Sequence, residues 1–357
     1  MMKRGMTRSF GYGRFGRAGL VMIAGLALVL GWVVNASADT HPAGHAPIGV
    51  MGDHTHEKGE FMLSYRYMIM GMKGLRDGDE RISRRKVLQD FSATPTSMEM
   101  QMHMFGAMYS PIDRLTLMLM VPYVRTEMDH RTAMVTPIGT HFTTKSDGLG
   151  DIRLSGMIDL IKEEKRKVHL TLGVSFPTGS ITQQDQTPMS MGNQVRIPYP
   201  MQIGSGTYDF LPALTYNGNS GHDGVWSWGG QARGEIRMNE NHAGYRLGDE
   251  YALTGWLART FTRQVSGSLR LEWQHNLNVR GREESPSVNP AIIPTADPDR
   301  RAVQRLDLLF GVNFVPPWVQ VEGLRLAVEA GLPIYQHLDG PGLETDVIAT
   351  AGVQYAF

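Results

Sequence analysis

The 357-residue chain contains no cysteine. That absence excludes a disulfide scaffold, a thiolate zinc site, a cysteine nucleophile and a lipid-modified cysteine terminus. After residue 34 no stretch reaches 18 uninterrupted apolar residues, so no later segment reads as a spanning helix. A surplus of positive charge is missing too. The formal net charge is +0, from 35 basic and 35 acidic residues, yet Lys3, Arg4, Arg8, Arg14 and Arg17 all precede residue 18. Setting those five aside leaves 30 basic residues against 35 acidic ones. Such a balance offers no basic face to displace phosphate counterions, and nucleic acid is not expected as a partner.

What is present begins with an address. The basic start runs into an uncharged apolar stretch, Ala18 to Val34, and then Ala36-Ser37-Ala38. Small residues at Ala36 and Ala38 fit signal peptidase, so residues 1–38 read as a signal peptide cleaved after Ala38. Residues 39–59 carry Pro, Gly and His without strand periodicity. They read as a short, flexible, His-rich periplasmic segment.

From residue 60 onward, period-2 alternation recurs in twelve segments of membrane-crossing length: 60–72, 98–110, 114–127, 148–161, 167–177, 205–217, 224–238, 249–262, 264–279, 302–315, 323–337 and 344–357. Val168, Leu170, Leu172, Val174 and Phe176 share one face, opposite His169, Thr171, Gly173 and Ser175. Leu269, Leu271 and Trp273 oppose Arg270, Glu272, Gln274 and Asn276. Charges at the centre of so many strands have no place in a dry sandwich core but fit a polar lumen. Long and short connections alternate, as between external loops and periplasmic turns. The expected fold is therefore all-β: a single 12-stranded antiparallel transmembrane outer-membrane β-barrel over residues 60–357, in contact with outer-membrane lipid. Val353, Tyr355 and Phe357 end the chain on one parity. They resemble the C-terminal signal read by the barrel assembly machinery.

The same alternation assigns lumen-facing charge. Arg66, Arg153, Arg233, Arg270, Arg305 and Arg325 are expected inside with Glu99, Asp151, Asp159, Asp209, Glu235, Glu272, Asp307 and Glu329, and His103 shares parity with Glu99. Both signs together suggest an internal ion-pair network that narrows the pore. Methionine is abundant, at 23 residues. Met98, Met100, Met102 and Met104 are expected to face lipid, opposite Glu99, Gln101 and His103. Met62, Met68, Met70 and Met72 share parity with Ser64 and Arg66, and with Met118 and Met120 they could line one lumen wall with thioethers, which favour Cu(I); flexible packing is the simpler account.

Four of the 12 histidines, His41, His45, His54 and His56, lie before the first segment and are candidate metal ligands. Cleavage after Ala38 would leave Asp39-Thr40-His41, whose amine, amides and imidazole resemble the amino-terminal Cu(II) and Ni(II) motif. No cofactor is required by anything else in the sequence. An acyl-ester hydrolase would need Ser and His together on the lipid face; His275 has no serine at the following outward positions, Leu277 and Val279. An enzyme is not expected.

Val121-Pro122-Tyr123, Asp147-Gly148-Leu149-Gly150-Asp151, Phe176-Pro177-Thr178-Gly179-Ser180 and Gly204-Ser205-Gly206-Thr207-Tyr208-Asp209 resemble pieces of a Gram-negative outer-membrane family named for the meta-pathway of phenol degradation. The resemblance implies a barrel with a transport role and supplies no catalytic residues. The His-rich lead and the Met-rich first strands depart from that pattern and fit a metal context better. The expected function is an outer-membrane channel or transporter passing a small solute, an aromatic compound or a metal ion, through a narrow charged lumen. The alternatives are a structural or surface-binding barrel with a closed lumen, or a metal-binding accessory of a copper or heavy-metal tolerance system.

Overall fold

A computed structural model describes residues 44–133, 141–220, 225–317 and 323–357. The expected signal peptide and the Asp39-Thr40-His41 motif lie outside these residues. The chain forms β1 (Phe61–Gly78), β2 (Glu80–Ile82), a short helix α1 (Arg84–Asp90), β3 (Ala93–Ile112), β4 (Leu115–Thr132), β5 (His141–Leu149), β6 (Ile152–Lys162) and β7 (Arg166–Phe176). A small ribbon of β8 (Gln184–Asp185) and β9 (Val195–Arg196) follows within a loop, then β10 (Asp209–Asn219), β11 (Trp226–Arg237) and β12 (Tyr245–Arg246). The remainder is β13 (Glu250–Thr260), β14 (Val265–Asn276), β15 (Arg280–Gly281), β16 (Val303–Phe314) and β17 (Leu324–Ala356). No helix among the described residues is long and apolar enough to cross a membrane.

Eleven of these strands form a closed ring in the order β1, β3, β4, β6, β7, β10, β11, β13, β14, β16, β17, sealed by pairing of β17 with β1. β2 and β5 pair beside the ring with β1 and β4. Every pairing in the ring is antiparallel. An odd ring of antiparallel pairs closes only if one member reverses, and β17 does so. Its 33 residues pair with β16 from Leu326 to Leu338 and with β1 from Leu338 to Ala356. Gly340, at φ 87°, stands at the reversal, in a backbone region that favours glycine. The expectation of twelve separate strands is thus corrected to eleven ring elements, because the last two expected segments are one continuous strand. At the seam the backbones of Phe61 and Phe357 exchange two hydrogen bonds of 2.8 Å.

The alternation sorts side chains as the polarity requires over most of the wall. Leu172, Trp228, Leu253, Leu271 and Phe310 stand exposed on the outer surface, while Arg270, Glu272 and Arg305 are buried within. The exception is β3. Its register sets Met98, Met100, Met102, Met104 and Met108 opposite Met72, Met70, Met68, Arg66 and Met62 of β1, so the methionines point inward. Glu99 and His103, expected in the lumen, and Met98 to Met104, expected against lipid, therefore exchange places. Two causes combine. Methionine is apolar enough for lipid and soft enough to line an interior, so its hydropathy does not choose a face. And β1, β3 and β4 run 18 to 20 residues against 11 or 12 in most other ring strands. These strands are longer than the wall they share with their shorter neighbours, so an outward Glu or His on their far halves need not lie on the apolar belt.

Both ends of the barrel are covered. At the long-loop end the connections fold inward, burying Tyr199, Tyr245, Val279, Val288, Ile293 and Ala296 against Ala93 of β3. At the short-turn end residues 44–60 lie inside the ring. Ala46, Ile48, Val50 and Asp53 are among the most buried residues in the molecule. The expectation that residues 39–59 form a loose periplasmic segment is corrected for this part: it is an ordered stopper.

Candidate functional site

Backbone bonds between Gly59, Glu60 and Ser110 of β3 anchor the end of the stopper, and the rest of it is held by side chains of the wall. Arg325 Nη2 donates to Ala46 O at 2.6 Å, Gln231 Nε2 to Met51 O at 2.9 Å and Asn217 Nδ2 to Asp53 O at 2.7 Å. His56 N donates to Thr116 Oγ1 at 2.9 Å, Thr55 Oγ1 to Asp159 Oδ1 at 2.7 Å and Gly49 N to Glu329 Oε2 at 3.1 Å. Ala46 and Val50 pack on Trp256, an inward residue of β13. A Cβ at Gly49 would fall 2.2 and 2.4 Å from the Glu329 and Arg270 head groups, so a side chain there would have to displace that ion pair. Gly52, at φ 61°, turns the segment back on itself, and Asp53 Oδ2 accepts from Ala46 N at 3.1 Å across the turn.

That turn gathers histidines. The rings of His45 and His54 are 4.5 Å apart, and those of His54 and His56 are 4.9 Å apart. Asp53 Oδ1 accepts from His54 Nδ1 at 2.9 Å, and Glu60 Oε2 from His56 Nδ1 at 3.2 Å. Burial, reinforced by the neighbouring His54, drives the His45 imidazolium well below its ordinary range and His56 down to about 3, so both rings are neutral. Burial alone would raise the Asp53 carboxyl, but the adjoining histidines and Arg325 hold it below the usual carboxylate range. Of the four expected metal-ligand candidates, the structure brings three together. His41 lies outside the described residues.

Above the stopper is an interior cavity of about 340 Å³ with two unlike walls. One is thioether, lined by Met68 and Met70 of β1, Met102 and Met104 of β3 and Met118 and Met120 of β4; the same three strands set Met62, Met108 and Met118 side by side, and Met72, Met98 and Met128 in a second row. The other wall is ionic. Arg153 reaches Glu235 at 2.9 Å, and Arg237 reaches both Glu235 and Asp209 at 2.6 Å. Arg233 pairs with Glu272 at 2.9 Å, and Arg270 bridges Glu272 at 2.5 Å and Glu329 at 2.8 Å. Arg305 pairs with Asp307 at 2.9 Å. Arg66 is buried at the stopper end with its Nε unpartnered. Glu99 and His103 take no part. Glu99 stands exposed on the outer face, accepting from Gln101, and His103 bonds Tyr65 OH at 2.8 Å, also outside.

Asp151 has a different task. Its carboxylate accepts from Gly179 N at 2.8 Å and from Ser205 N and Oγ at 2.7 and 2.9 Å. Thr178 Oγ1 donates to Gly150 O at 2.8 Å, and Gly150 N to Pro122 O at 2.8 Å. The four short motifs quoted above thus meet in one hydrogen-bonded node that draws the 177–208 loop over the cavity. Val353 and Tyr355 face outward opposite Tyr65 and Leu63, and Phe357 packs on Phe61 with ring centroids 5.2 Å apart.

Sequence reasoning missed Trp256 and Asn217; alternation put Gln231 and His169 on the polar face without a role, and His169 Nε2 lies 2.9 Å from Gly52 O. The alternation of Ala46, Ile48 and Val50 was a signal that the lead packs against something.

No family model and no curated protein sequence matches the chain. Among solved structures it is similar to an outer membrane channel from Pseudomonas putida F1, at 10% identity and a TM-score of 0.56, covering 87% of this chain and 100% of that one. The transport unit of the autotransporter AIDA-I from Escherichia coli overlaps less well, with a TM-score of 0.45, 9% identity and coverage of 87% and 94%. The first likeness establishes the fold, an outer-membrane-type antiparallel barrel.

Proposed function

We propose that the protein is an outer-membrane channel for a small solute, held closed by its own N-terminal stopper. The observation that carries this reading is the cavity between the thioether and ionic walls, covered at one end by a segment that, before Gly59, is retained by side-chain bonds and packing rather than by backbone pairing with the wall. A stopper outside the hydrogen-bonded sheet can leave without unfolding the wall. The reversal of β17 makes its two legs separate crossings, and β5 with β6 make one, giving twelve passes with both ends of the barrel chain on the short-turn, periplasmic side. The apolar outer belt meets lipid, and Val353, Tyr355 and Phe357 present the assembly signal. A cavity of this size admits a metal ion or a single aromatic ring, and its walls supply thioether and charged binding groups.

Planar-bilayer recording tests the reading. The intact chain is expected to show rare, small steps, and a chain lacking residues 44–59 frequent, larger ones. The capped ends also favour a second reading, a closed barrel whose loops act at the cell surface. Silence from both chains would decide for it.

A further inference from the structure

We infer that the stopper turn is a copper site formed by His45, His54 and His56 around Asp53. Three ring nitrogens there, His45 Nδ1, His54 Nε2 and His56 Nε2, are shielded from water and have no hydrogen-bond partner. Orphaned nitrogens are costly one at a time, and three on one turn call for a common ligand. Two of the rings are already oriented. Asp53 holds His54 through Nδ1 and Glu60 holds His56 through Nδ1, which leaves each Nε2 lone pair free. A carboxylate behind the imidazole is the usual support of a metal-bound histidine, fixing tautomer and ring direction. Ligand atoms of His45, Asp53 and His54 lie within 4.8 Å of one another, and the His56 ring lies 4.9 Å from that of His54. The His45 and His54 side chains remain 18% and 14% exposed, so the turn is not closed to an ion.

Imidazoles alone suit zinc, nickel and copper equally; the surroundings choose among them. A methyl group placed on Gly52, at the tip of the turn, would lie 3.5 Å from Met118 Cε and 3.8 Å from Met157 Sδ. Met51, beside Gly52, packs into the same methionine cluster. Thioethers select Cu(I) and do little for Zn(II) or Ni(II), so the turn sits where the thioether wall meets the imidazoles. The inference deepens the channel reading by naming a cargo or effector, but the site is measured without any ion flow.

The test uses the full mature chain in detergent, with Cu(I) kept reduced by ascorbate and competed against a chromophoric Cu(I) chelator. Cu(I) also bypasses the Asp39-Thr40-His41 set, whose amide nitrogens suit square-planar Cu(II). One Cu(I) per chain is expected. The combined His45→Ala, His54→Ala and His56→Ala variant should bind at least about tenfold more weakly, with the barrel still shifting on heating in gels. Should that variant fail to fold, the single His56→Gln variant is expected to lose affinity several-fold. Met118→Leu with Met157→Leu should weaken Cu(I), whereas His103→Ala on the outer face should not. No uptake, or undiminished uptake by the histidine variants, overturns the site; Zn(II) binding as tight as Cu(I) overturns the choice of copper. A silent barrel that takes up Cu(I) refutes only the channel reading, and a conducting barrel that takes up none refutes only the site.

Discussion

Gly49 and Trp256 show how closely the stopper is fitted. A Cβ at position 49 would fall 2.2 Å from Glu329 Oε2 and 2.4 Å from Arg270 Nη2, groups locked to each other by two bonds of 2.8 Å. Gly49→Ala is therefore expected to weaken docking by about 1–3 kcal/mol, because either the backbone bond to Glu329 or the ion pair must yield. Trp256→Ala should cost more, about 3–5 kcal/mol, through the cavity left against Ala46 and Val50. Limited proteolysis in detergent checks both. Cleavage within residues 44–60 should appear in the variants under conditions where the parent is intact. Glu272→Gln belongs at this scale as well. Glu272 accepts from Arg233 and Arg270 at 2.9 and 2.5 Å, so neutralising it leaves an excess of positive charge on the cavity wall. In a chain freed of its stopper, the reversal potential under a salt gradient should shift toward anion preference.

At the scale of the element, the stopper is expected to be acid-labile. An imidazole in water takes a proton near pH 6.5, whereas docked His56 takes one only near 3. The undocked segment binds more protons between those values, so docking is strongest above about 6.5 and weakens as pH falls through the window. Asp53 acts in the same sense: its docked carboxyl is held below the usual range, so its contribution is complete at neutral pH and lost only in strong acid. The charges around these groups are Arg325, Lys162, Asp159, Glu60 and Arg66, with His169 on β7. Protease sensitivity of residues 44–60 should rise between pH 7 and about 4 while heat-modifiable migration of the barrel persists. Retention of the stopper across that range would contradict this account.

For the whole molecule the decisive contact is the seam. Phe61 and Phe357 exchange two backbone hydrogen bonds and pack their rings in a tilted contact 5.2 Å between centroids, which closes the ring. Removing Phe357 opens a pair of donors and acceptors at the lipid boundary, where nothing else satisfies them. Folding into lipid vesicles should slow several-fold, read as the fraction that shifts on heating at early times.

The sequence alone determined the wall. Alternation such as Leu269, Leu271 and Trp273 against Arg270 and Glu272 has only one use in a sheet with lipid on one side, so strands, faces and the ionic lining were legible from local pattern. Chain reversals marked by glycine and proline were legible as well. Two features waited for the tertiary structure. The facing of β3 depends on its register with β1, and a row of methionines suits either face, so only the pairing of Met68 with Met102 settled it. The stopper's short alternation of Ala46, Ile48 and Val50 does not say what it packs against. Ala46, Gly49 and Asp53 acquire their positions from Arg325, Glu329 and Asn217, residues 164 to 280 positions away in sequence. Composition could say that His45, His54 and His56 were near one another along the chain; that they face inward on one turn, with their free nitrogens out of water, was decided by a closed ring wide enough to swallow its own N-terminal segment.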